Sequence, residues 1–265
     1  MSVQDLLSLA GRRALITGGG RGLGRALAVG FAEAGAEVVV CGRRGALVDE
    51  TAAIVNAAGG TATAVAADIT LEADVERLRD AAGDIDILVN NAALYPSEPW
   101  QTVSLESWHE VMKVNLYAPF RLCQVFAPPM MERGWGRIVN IASVYGHTGP
   151  KPQLYPETWG PSSYFASKHG INGITHYLSP RLARHGVTIN SLSPGGIVTD
   201  DQRLGLDEAG KKRLANAGPF AEAQVQIGRT GDGSDYVGPA LLLASDGGKY
   251  MTGQVVVVDG GWTAW

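Results

Sequence analysis

The segment Ala14-Leu-Ile-Thr-Gly-Gly-Gly-Arg-Gly-Leu-Gly24 carries the strongest structural signal in the sequence. A short apolar run, typical of a buried strand, ends in a glycine-rich turn that opens into Leu23–Ala34, a segment with helical spacing of apolar residues. Gly18 permits a tight turn, Gly22 lets the backbone approach a phosphate, and Gly24 lets the helix pack closely on the sheet. Because the start of a helix offers free N–H groups to an anion, the pattern predicts a dinucleotide-binding loop.

The length and composition are within the range of one globular α/β domain. The chain has 265 residues, 45% of them hydrophobic and 18% charged, with a net charge of −4. A mildly acidic chain without a basic arm gives no reason to expect nucleic acid as a partner. The apolar runs are too short for a membrane span, and the N-terminus has no basic signal-peptide region, so we expect a cytoplasmic protein without a membrane partner.

The cysteine, histidine and glycine content excludes several classes of protein. Two cysteines exclude a disulfide scaffold and a four-thiolate zinc site, and the five histidines form no tight ligand cluster, so we predict no metal. The 35 glycines are about twice the average share of ~7%. They lie in no repeat or linker, and they punctuate apolar runs instead.

Strands and helices are predicted to alternate along the chain. The predicted strands are Ala14–Thr17, Glu37–Cys41, Ala62–Ala67, Ile85–Val89, Arg137–Ile141, Val187–Leu192 and Val255–Val258. The predicted helices are Leu23–Ala34, Ala46–Ala58, Glu72–Ala82, Leu105 to about Arg133 with a bend at Pro119, and Tyr164–His185 with a kink at Pro180. Such alternation implies a doubly wound Rossmann fold, an α/β parallel sheet with helices on both faces. We predict a single domain over residues 1–265.

Further motifs follow the predicted strands in order, where ligands bind in such folds. They are Asn90-Asn-Ala-Ala93, Asn115 in the long helix, Ser143, Tyr164-Phe-Ala-Ser-Lys168, Pro194-Gly195 with Thr199, and Asp259-Gly-Gly261. Tyr164 and Lys168 are four positions apart, so a helix puts them on one face. A neighbouring ammonium lowers the pKa of a phenol, and such a phenol can act as a general acid/base. A tyrosine and a lysine at this spacing, with no other motif around them, more often lie on a solvated helix face.

This order of motifs, with its Thr-Gly-x-x-x-Gly-x-Gly loop, resembles the short-chain dehydrogenase/reductase family over nearly the whole chain. The resemblance implies a seven-stranded sheet in the order 3-2-1-4-5-6-7. It also implies that Tyr164 exchanges a proton with a substrate carbonyl or alcohol, and that Lys168 tunes it and holds the nicotinamide ribose. Ser143 would bond the substrate oxygen and Asn115 would hold a water, although Asn115 can equally sit beside a helix bend.

The cofactor is predicted from the end of the second strand. Gly42 stands where an NAD-binding protein usually has a carboxylate, and Arg43 follows it. A guanidinium can bind the 2′-phosphate of NADP, and Arg21 adds a second cation, so NADP(H) is predicted, with NAD(H) as the alternative. The predicted cofactor residues are Thr17, Gly18, Gly20, Arg21, Gly22, Leu23, Gly24, Arg43, Arg44, Asp68, Ile69, Asn91, Ala92, Ala93, Tyr164, Lys168, Pro194, Gly195, Ile197 and Thr199. Asp68 can contact adenine or cap the next helix.

Two departures from the family pattern concern the substrate side. Ala93 replaces a glycine, and Ser143 and Tyr164 are 21 positions apart, farther than in the family pattern. The proline-rich loop 146–161 between them is expected to border the substrate, or to contact another subunit, and residues 200–228 resemble the family's substrate lid. The candidate substrate contacts are Tyr145, Tyr155, Trp159 and Phe220.

These features predict an NADP-dependent oxidoreductase that moves a hydride between nicotinamide and a secondary alcohol or ketone. Longer loops hint at a sugar or polyol substrate. The alternatives are an epimerase, dehydratase or lyase on the same fold, and a catalytically silent NADP-binding sensor. By analogy with the family, a homotetramer (or dimer) is expected through helices 105–133 and 164–185, with the C-terminal Trp262 and Trp265 crossing a second interface.

Overall fold

The fold is described by a computed structural model that covers residues 2–96, 98–149, 161–197 and 224–264. The strands are β1 Arg13–Thr17, β2 Glu37–Gly42, β3 Thr61–Ala66, β4 Ile87–Asn90, β5 Gly136–Ile141, β6 Val187–Pro194 and β7 Val255–Val258. The helices are α1 Val3–Leu7, α2 Gly22–Glu33, α3 Gly45–Ala57, α4 Glu72–Ala82, α5 Leu105–Met112, α6 Ala118–Arg133, α7 Ser162–Leu182 and α8 Gly233–Ala244.

The strands form one parallel sheet in the order β3-β2-β1-β4-β5-β6-β7, which confirms the predicted topology. The register places Thr17 beside Cys41 and Asn90 beside Asn140, so the carboxyl ends of neighbouring strands lie together. The winding reverses between β1 and β4, and a crevice opens at that point of such a sheet. The predicted binding site therefore lies at the carboxyl ends of β1, β2, β3 and β4, which are neighbours in the sheet.

Both faces of the sheet are buried, because successive side chains of a strand point to opposite sides. On one face, Leu15, Leu88 and Ile138 pack against helix residues that include Leu122 and Phe126 of α6. On the other face the packing is against α2 and α8, through Ile16, Val89, Val139, Leu27, Phe31 and Leu243. The side chains of the central strands are therefore buried on both faces of the sheet, which explains why these strands are continuous apolar runs, as expected for a parallel sheet.

The predicted helix 105–133 differs most from the structure. A π-helical turn, Lys113–Tyr117, separates α5 from α6, whereas the sequence predicts a bend at Pro119. Pro119 lies in the first turn of α6, where a missing N–H costs little. The π-helical turn, and not Pro119, interrupts the long helix, and Asn115 lies at its centre. Such turns inside helices are frequent at functional sites.

Other boundaries shift by one or two residues. β4 begins at Ile87 instead of Ile85, and just before it the Asp86 carboxylate accepts a hydrogen bond of 3.0 Å from the Arg13 backbone N–H. β6 extends to Pro194, and α7 passes into a 3₁₀ turn at Ala183–His185, shortly after Pro180. Within the described ranges, no helix has both the length and the apolar character needed to cross a membrane.

Candidate active site

A cleft of about 530 Å³ lies at the carboxyl ends of β1, β2 and β4, beside the glycine-rich turn. Most of the predicted cofactor residues line it, namely Gly18, Gly20, Arg21, Gly22, Leu23, Gly24, Arg43, Arg44, Asp68, Ile69, Asn91, Ala92, Ala93 and Ile197. The sequence motifs missed several apolar walls of the cleft, which carry no motif signal of their own: Leu47, Val48, Leu94 and Val114.

The glycine turn has no room for a side chain at Gly18 or Gly24. Gly18 has a φ of +65°, and a Cβ there would lie 2.8 Å from Ala92 Cα. A Cβ on Gly24 would lie 2.3 Å from the Gly18 carbonyl oxygen, which agrees with the predicted close packing at that position. At these glycines the turn presents its backbone to the cleft, and the N-terminal end of α2, whose N–H groups can bind an anion, lies beside it.

Thr17 and Asn91 support this turn from behind. Thr17 is buried, and its hydroxyl accepts hydrogen bonds of 3.0 and 3.1 Å from the backbone N–H groups of Asn91 and Ala92. The Asn91 amide donates to the Thr17 carbonyl oxygen at 2.8 Å. Thr17 does not line the cleft, so the structure places it as a support of the turn instead of a wall of the predicted cofactor site.

Arg25 is a further support that sequence reasoning missed. Its guanidinium donates to the Gly20 carbonyl oxygen at 2.7 Å and to the Glu50 carboxylate of α3 at 2.9 and 3.2 Å. It also donates to the Thr51 hydroxyl at 3.1 Å. An arginine four residues along a helix has no distinctive signal in the sequence, because its partners come from another helix.

One corner of the cleft is rich in exposed cations. Arg21, Arg43 and Arg44 all line it, and Arg43 lies 3.9 Å from the Asp68 carboxylate. The other carboxylate oxygen of Asp68 accepts hydrogen bonds of 3.0 and 2.7 Å from the N–H and hydroxyl of Thr70. Asp68 thus both lines the cleft and caps the turn before α4. The surplus of positive charge suits an anionic group such as a phosphate.

None of the four residues predicted to be catalytic lines this cleft, but Asn115 adjoins it, since it follows Val114 and is hydrogen-bonded to Leu94. Ser143 follows β5, Tyr164 and Lys168 lie in α7, and Asn115 lies in the π-helical turn. The Tyr164 side chain is hydrogen-bonded to that of Ser143. Lys168 is 3% exposed, donates to the Ile141 carbonyl oxygen at 2.6 Å, and its Nζ lies 5.4 Å from the centre of the Tyr164 ring.

Asn115 reaches α7 through Ser167, a residue that sequence reasoning missed. The Asn115 amide donates to the Leu94 carbonyl oxygen at 3.0 Å and to the Ser167 hydroxyl at 3.1 Å, and its carbonyl oxygen accepts from the Leu94 N–H at 2.8 Å. Ser167 in turn donates to the Tyr164 carbonyl oxygen at 2.8 Å. Asn115 therefore joins the segment after β4 to the turn of α7 that carries Tyr164.

The pKa values of the pair differ from the sequence expectation. Burial raises the pKa of Tyr164 to about 12, although the hydrogen bond with Ser143 acts in the lowering direction. Burial lowers the pKa of Lys168 to about 7. The expected lowering of the phenol pKa by Lys168 is wrong for this arrangement, because desolvation dominates both groups. At neutral pH Tyr164 is protonated and can donate a proton.

The segments after β6 and β7 close the far side of the site. A Cβ on Gly195 would lie 2.8 Å from Asp259 Cα, so this glycine permits the two segments to meet. Pro194 is the buried last residue of β6, and Ile197 lines the cleft. Thr199 and residues 200–223 of the predicted lid lie outside the described residues.

Of the candidate substrate contacts, only Tyr145 is described, since Tyr155, Trp159 and Phe220 lie outside the described residues. The Tyr145 ring stacks on Phe165 at 4.3 Å and meets the Trp262 ring at 5.7 Å. Trp262 is 8% exposed, so it packs within its own chain and offers little surface to a second interface, contrary to expectation. Trp265 lies outside the described residues.

Tyr95 lies beside the predicted catalytic tyrosine, although sequence reasoning missed it. Its ring packs edge to face on the Tyr164 ring at 4.7 Å, and the residue is 49% exposed. It follows the Asn-Asn-Ala-Ala motif by two positions, where no spacing rule singles it out. In the described parts of the chain, no group of three or more side chains is arranged to hold a metal ion.

Comparisons with known proteins agree with this geometry. A sequence profile of the short chain dehydrogenases matches residues 12–207. The gluconate 5-dehydrogenase of Gluconobacter oxydans (strain 621H) is 36% identical over 268 residues, covering 99% of each protein. The 3-oxoacyl-(acyl-carrier-protein) reductase of Aquifex aeolicus (strain VF5) is 35% identical, covering 96% of this chain and 98% of that protein.

A solved structure extends the likeness to three dimensions. The gluconate 5-dehydrogenase of Burkholderia cenocepacia J2315, in complex with NADP and tartrate, has a TM-score of 0.85 and 33% sequence identity, and covers 100% of both chains. The match therefore includes the sheet, the cleft and the residues beside it. The chain belongs to the short-chain dehydrogenase family, and it is an oxidoreductase that uses a nicotinamide cofactor on alcohol and carbonyl groups.

Proposed function

We propose that this protein is an NADP(H)-dependent dehydrogenase that interconverts a secondary alcohol and a ketone on a small hydroxylated acid of the gluconate type. The observation that carries the proposal is the meeting of Asn115, Ser143, Tyr164 and Lys168 beside a cleft with a glycine-rich floor. A silent nucleotide sensor would not need a hydrogen-bonded serine and tyrosine at the edge of the cofactor cleft.

The cleft suits a dinucleotide with a 2′-phosphate. The glycines of the turn at Gly18–Gly24 let the backbone N–H groups approach the pyrophosphate. Arg21, Arg43 and Arg44 offer guanidinium groups to the additional phosphate, and Gly42 leaves no carboxylate to repel it. When bound, the nicotinamide accepts or supplies the hydride.

The proton is assigned to Tyr164. In the reducing direction its protonated hydroxyl donates a proton to the substrate oxygen and becomes a phenolate; the oxidising direction is the reverse, and requires Tyr164 to lose its own proton before it accepts the proton of the substrate hydroxyl. Ser143, which is hydrogen-bonded to Tyr164, holds the same substrate oxygen and favours the negative charge that develops there. Lys168, whose Nζ lies 5.4 Å from the centre of the Tyr164 ring, is assigned to the nicotinamide ribose. Asn115 is assigned to a bound water and to the position of α7.

The substrate class is proposed from likeness along the whole chain. A gluconate 5-dehydrogenase matches 99% of the chain at 36% identity, and a second one matches with bound NADP and tartrate, a small hydroxylated dicarboxylate. The acyl-carrier-protein reductase at 35% identity is the competing case, because a 3-oxoacyl group carries its ketone on an acyl chain. An epimerase or lyase use of the site receives no support from these relatives.

The test is a turnover assay with purified protein. NADP⁺ with D-gluconate, and NADPH with its 5-keto form, are expected to react faster than NADPH with a 3-oxoacyl thioester. Tyr164→Phe is expected to lower kcat by roughly 10³-fold while NADPH binding, followed by fluorescence, is retained. Wild-type protein without turnover on any of these substrates, or Tyr164→Phe with unchanged kcat, overturns the proposal.

We also propose that the chain self-associates, as a homotetramer or dimer. An apolar patch on α6, α7 and the π-helical turn supports this proposal: its lining residues are Leu116, Tyr117, Phe120, Gly170, Gly173, Ile174 and Tyr177. Contiguous apolar patches are uncommon on monomers, and a two-fold axis pairs one patch with its own copy. Phe120→Asp is expected to reduce the mass measured by light scattering, whereas Tyr250→Asp, at a fully exposed site, is not.

We further propose that the whole chain is a single domain. One sheet whose strands run from Arg13 to Val258 supports this proposal. The substrate lid at 200–228 and the cytoplasmic location stay predictions.

A further inference from the structure

Ser143 and Tyr164 lie on different segments, and the chain between them is long, with residues 150–160 outside the described part. Their hydrogen bond therefore depends on how the short turn after Ser143 is docked on α7. That turn is the 3₁₀ segment Val144–Gly146. Its contacts with α7 decide where the Ser143 hydroxyl lies relative to the Tyr164 hydroxyl.

Two contacts with the backbone of Gly146 dock this turn on α7. Gly146 lies so close to α7 that a Cβ there would be 2.6 Å from the Lys168 carbonyl oxygen. The Asn172 side chain donates to the Gly146 carbonyl oxygen at 3.0 Å. Both contacts hold the far end of the turn, one and two helical turns beyond Tyr164. They leave the near end of the turn, next to Ser143, to be held by side chains.

An aromatic stack holds the near end. The rings of Tyr145 and Phe165 are nearly parallel, with centroids 4.3 Å apart and an interplanar angle of 23°. Phe165 directly follows Tyr164, and the Tyr145 backbone N–H donates to the Ser143 hydroxyl at 3.2 Å. Each ring thus belongs to a residue next to, or hydrogen-bonded to, one member of the Ser143–Tyr164 pair.

The C-terminal segment supports the stack from the side. The Trp262 ring meets Tyr145 edge to face at 5.7 Å and is largely buried with Val144 and Val225. Its position is set by the Asp259 carboxylate, which accepts hydrogen bonds from the Gly261 and Thr263 backbone N–H groups at 2.9 and 2.8 Å. The segment after the last strand therefore reaches the turn that carries Ser143.

We propose that Tyr145 and Phe165 are positioning residues, whose stack, backed by Trp262, sets the Ser143–Tyr164 geometry across the long intervening loop. The inference rests on the proposed roles of Ser143 and Tyr164. Tyr145 then acts through Ser143, and its ring, not its hydroxyl, is the part that matters. A stack of this kind limits rotation of both segments, and catalytic groups misplaced by about 1 Å can cost on the order of 100-fold in rate.

The test compares ring removal with ring retention. Tyr145→Ala and Phe165→Ala are expected to lower kcat by roughly 10- to 100-fold, with the NADPH Kd unchanged. Tyr145→Phe and Phe165→Tyr, which keep both rings, are expected to retain near wild-type kcat. Trp262→Ala is expected to lower kcat less than Tyr145→Ala does, and Trp262→Phe to recover it.

The pH profile separates positioning from general damage. The hydrogen bond with Ser143 acts to lower the Tyr164 pKa, so a loosened pair is expected to shift the apparent pKa of the kcat profile upward in Tyr145→Ala. A merely destabilised protein would lose active molecules without moving that pKa. Thermal unfolding of each variant is measured alongside, to confirm that the folded protein is assayed.

Three results would overturn the inference. Unchanged kcat and pH profile in a folded Tyr145→Ala protein would show that the stack does not position the pair. Equal losses in Tyr145→Phe and Tyr145→Ala would assign the effect to the hydroxyl. A loss seen only in NADPH binding would place the effect in the cofactor cleft. Ser143→Ala serves as the reference variant. If Ser143→Ala is as active as wild type, the proposed role of Ser143 in catalysis is wrong, whatever the Tyr145 and Phe165 variants show.

Discussion

The two halves of the site are built by opposite means. The cofactor cleft is shaped by missing side chains, since a Cβ at Gly18 or Gly24 would collide with backbone atoms. The catalytic half is shaped by polar side chains taken out of water, among them Asn115, Ser143 and Lys168, each less than a tenth exposed. A backbone surface can be specified by a short local motif, whereas buried polar groups need partners from several elements.

The difference has an energetic side. The main cost of a glycine turn is conformational entropy. Because the turn at Gly18 and Gly24 is close-packed, the cleft is sensitive to added side-chain atoms. A buried lysine costs desolvation free energy, so the catalytic half is sensitive to pH and to the loss of single hydrogen bonds. Four variants, two in each half of the site, test this contrast.

Lys168→Met tests the cost of burying the ammonium. Burial lowers the pKa of folded Lys168 to about 7, while an unfolded lysine titrates near ~10.4, so between these values the unfolded chain holds more protons. Wild-type stability should therefore rise with pH across this window. Below about pH 7, removal of the buried ammonium is expected to raise the free energy of unfolding by roughly 3–5 kcal/mol. Loss of the hydrogen bond to Ile141 is expected to reduce this gain by about 1 kcal/mol.

The measurement is urea unfolding of both proteins at about pH 6.5 and about pH 9.5, on either side of most of the window. The advantage of Lys168→Met should shrink as the pH rises. An advantage that is constant with pH, or that grows, would mean that Lys168 is not buried as an ammonium in solution.

Gly24→Ala tests the cleft. Because the new Cβ would lie 2.3 Å from the Gly18 carbonyl oxygen, we expect roughly 1–3 kcal/mol of destabilisation and a displaced turn, with at least a ~10-fold weaker NADPH Kd, equivalent to about 1.4 kcal/mol. Gly238→Ala in α8 is the matched control, because nothing lies within 4 Å of its Cβ. Fluorescence titration and thermal unfolding measure both. Tight NADPH binding by Gly24→Ala would contradict the close-packed turn.

Arg43→Ala tests the choice of cofactor. Loss of a charge-assisted hydrogen bond to the 2′-phosphate should weaken NADPH binding by roughly tenfold and leave NADH nearly unaffected. The ratio of the two Kd values, measured at low and high salt, is the readout. Arg77→Ala removes the same charge at a site that does not line the cleft and should change neither value. An equal loss for NADPH and NADH would assign Arg43 to the common part of the cofactor.

Ser167→Ala tests the link between Asn115 and α7. It removes the acceptor of a 3.1 Å bond and the donor of a 2.8 Å bond, for an expected loss of about 1 kcal/mol in stability and a several-fold lower kcat. Ser162→Ala is the control, because the Ser162 hydroxyl has no hydrogen-bond partner among the described residues. If both variants behave alike, Asn115 is held by Leu94 alone.

Sequence reasoning was most successful where the signal is local. The glycine loop and the strand ends led to most of the cleft, because turns are encoded within a few residues, and the sheet order was implied by the family resemblance of the ordered motifs. It failed for Arg25, Ser167 and Tyr95, whose partners are distant in the chain. It also misjudged the Tyr164 pKa, since burial depends on everything packed around the ring.

Local patterns in the chain are enough to specify the doubly wound fold, the family and the cofactor cleft of this protein. The fold follows from periodicity, the cleft from glycines that only a tight backbone requires, and the family from the resemblance of the ordered motifs. Tertiary packing sets the protonation of Tyr164 and Lys168, the π-helical turn at Asn115, and the docking of Tyr145 between Phe165 and Trp262. These features depend on desolvation and on contacts between elements far apart in the chain, which arise only when the elements pack together.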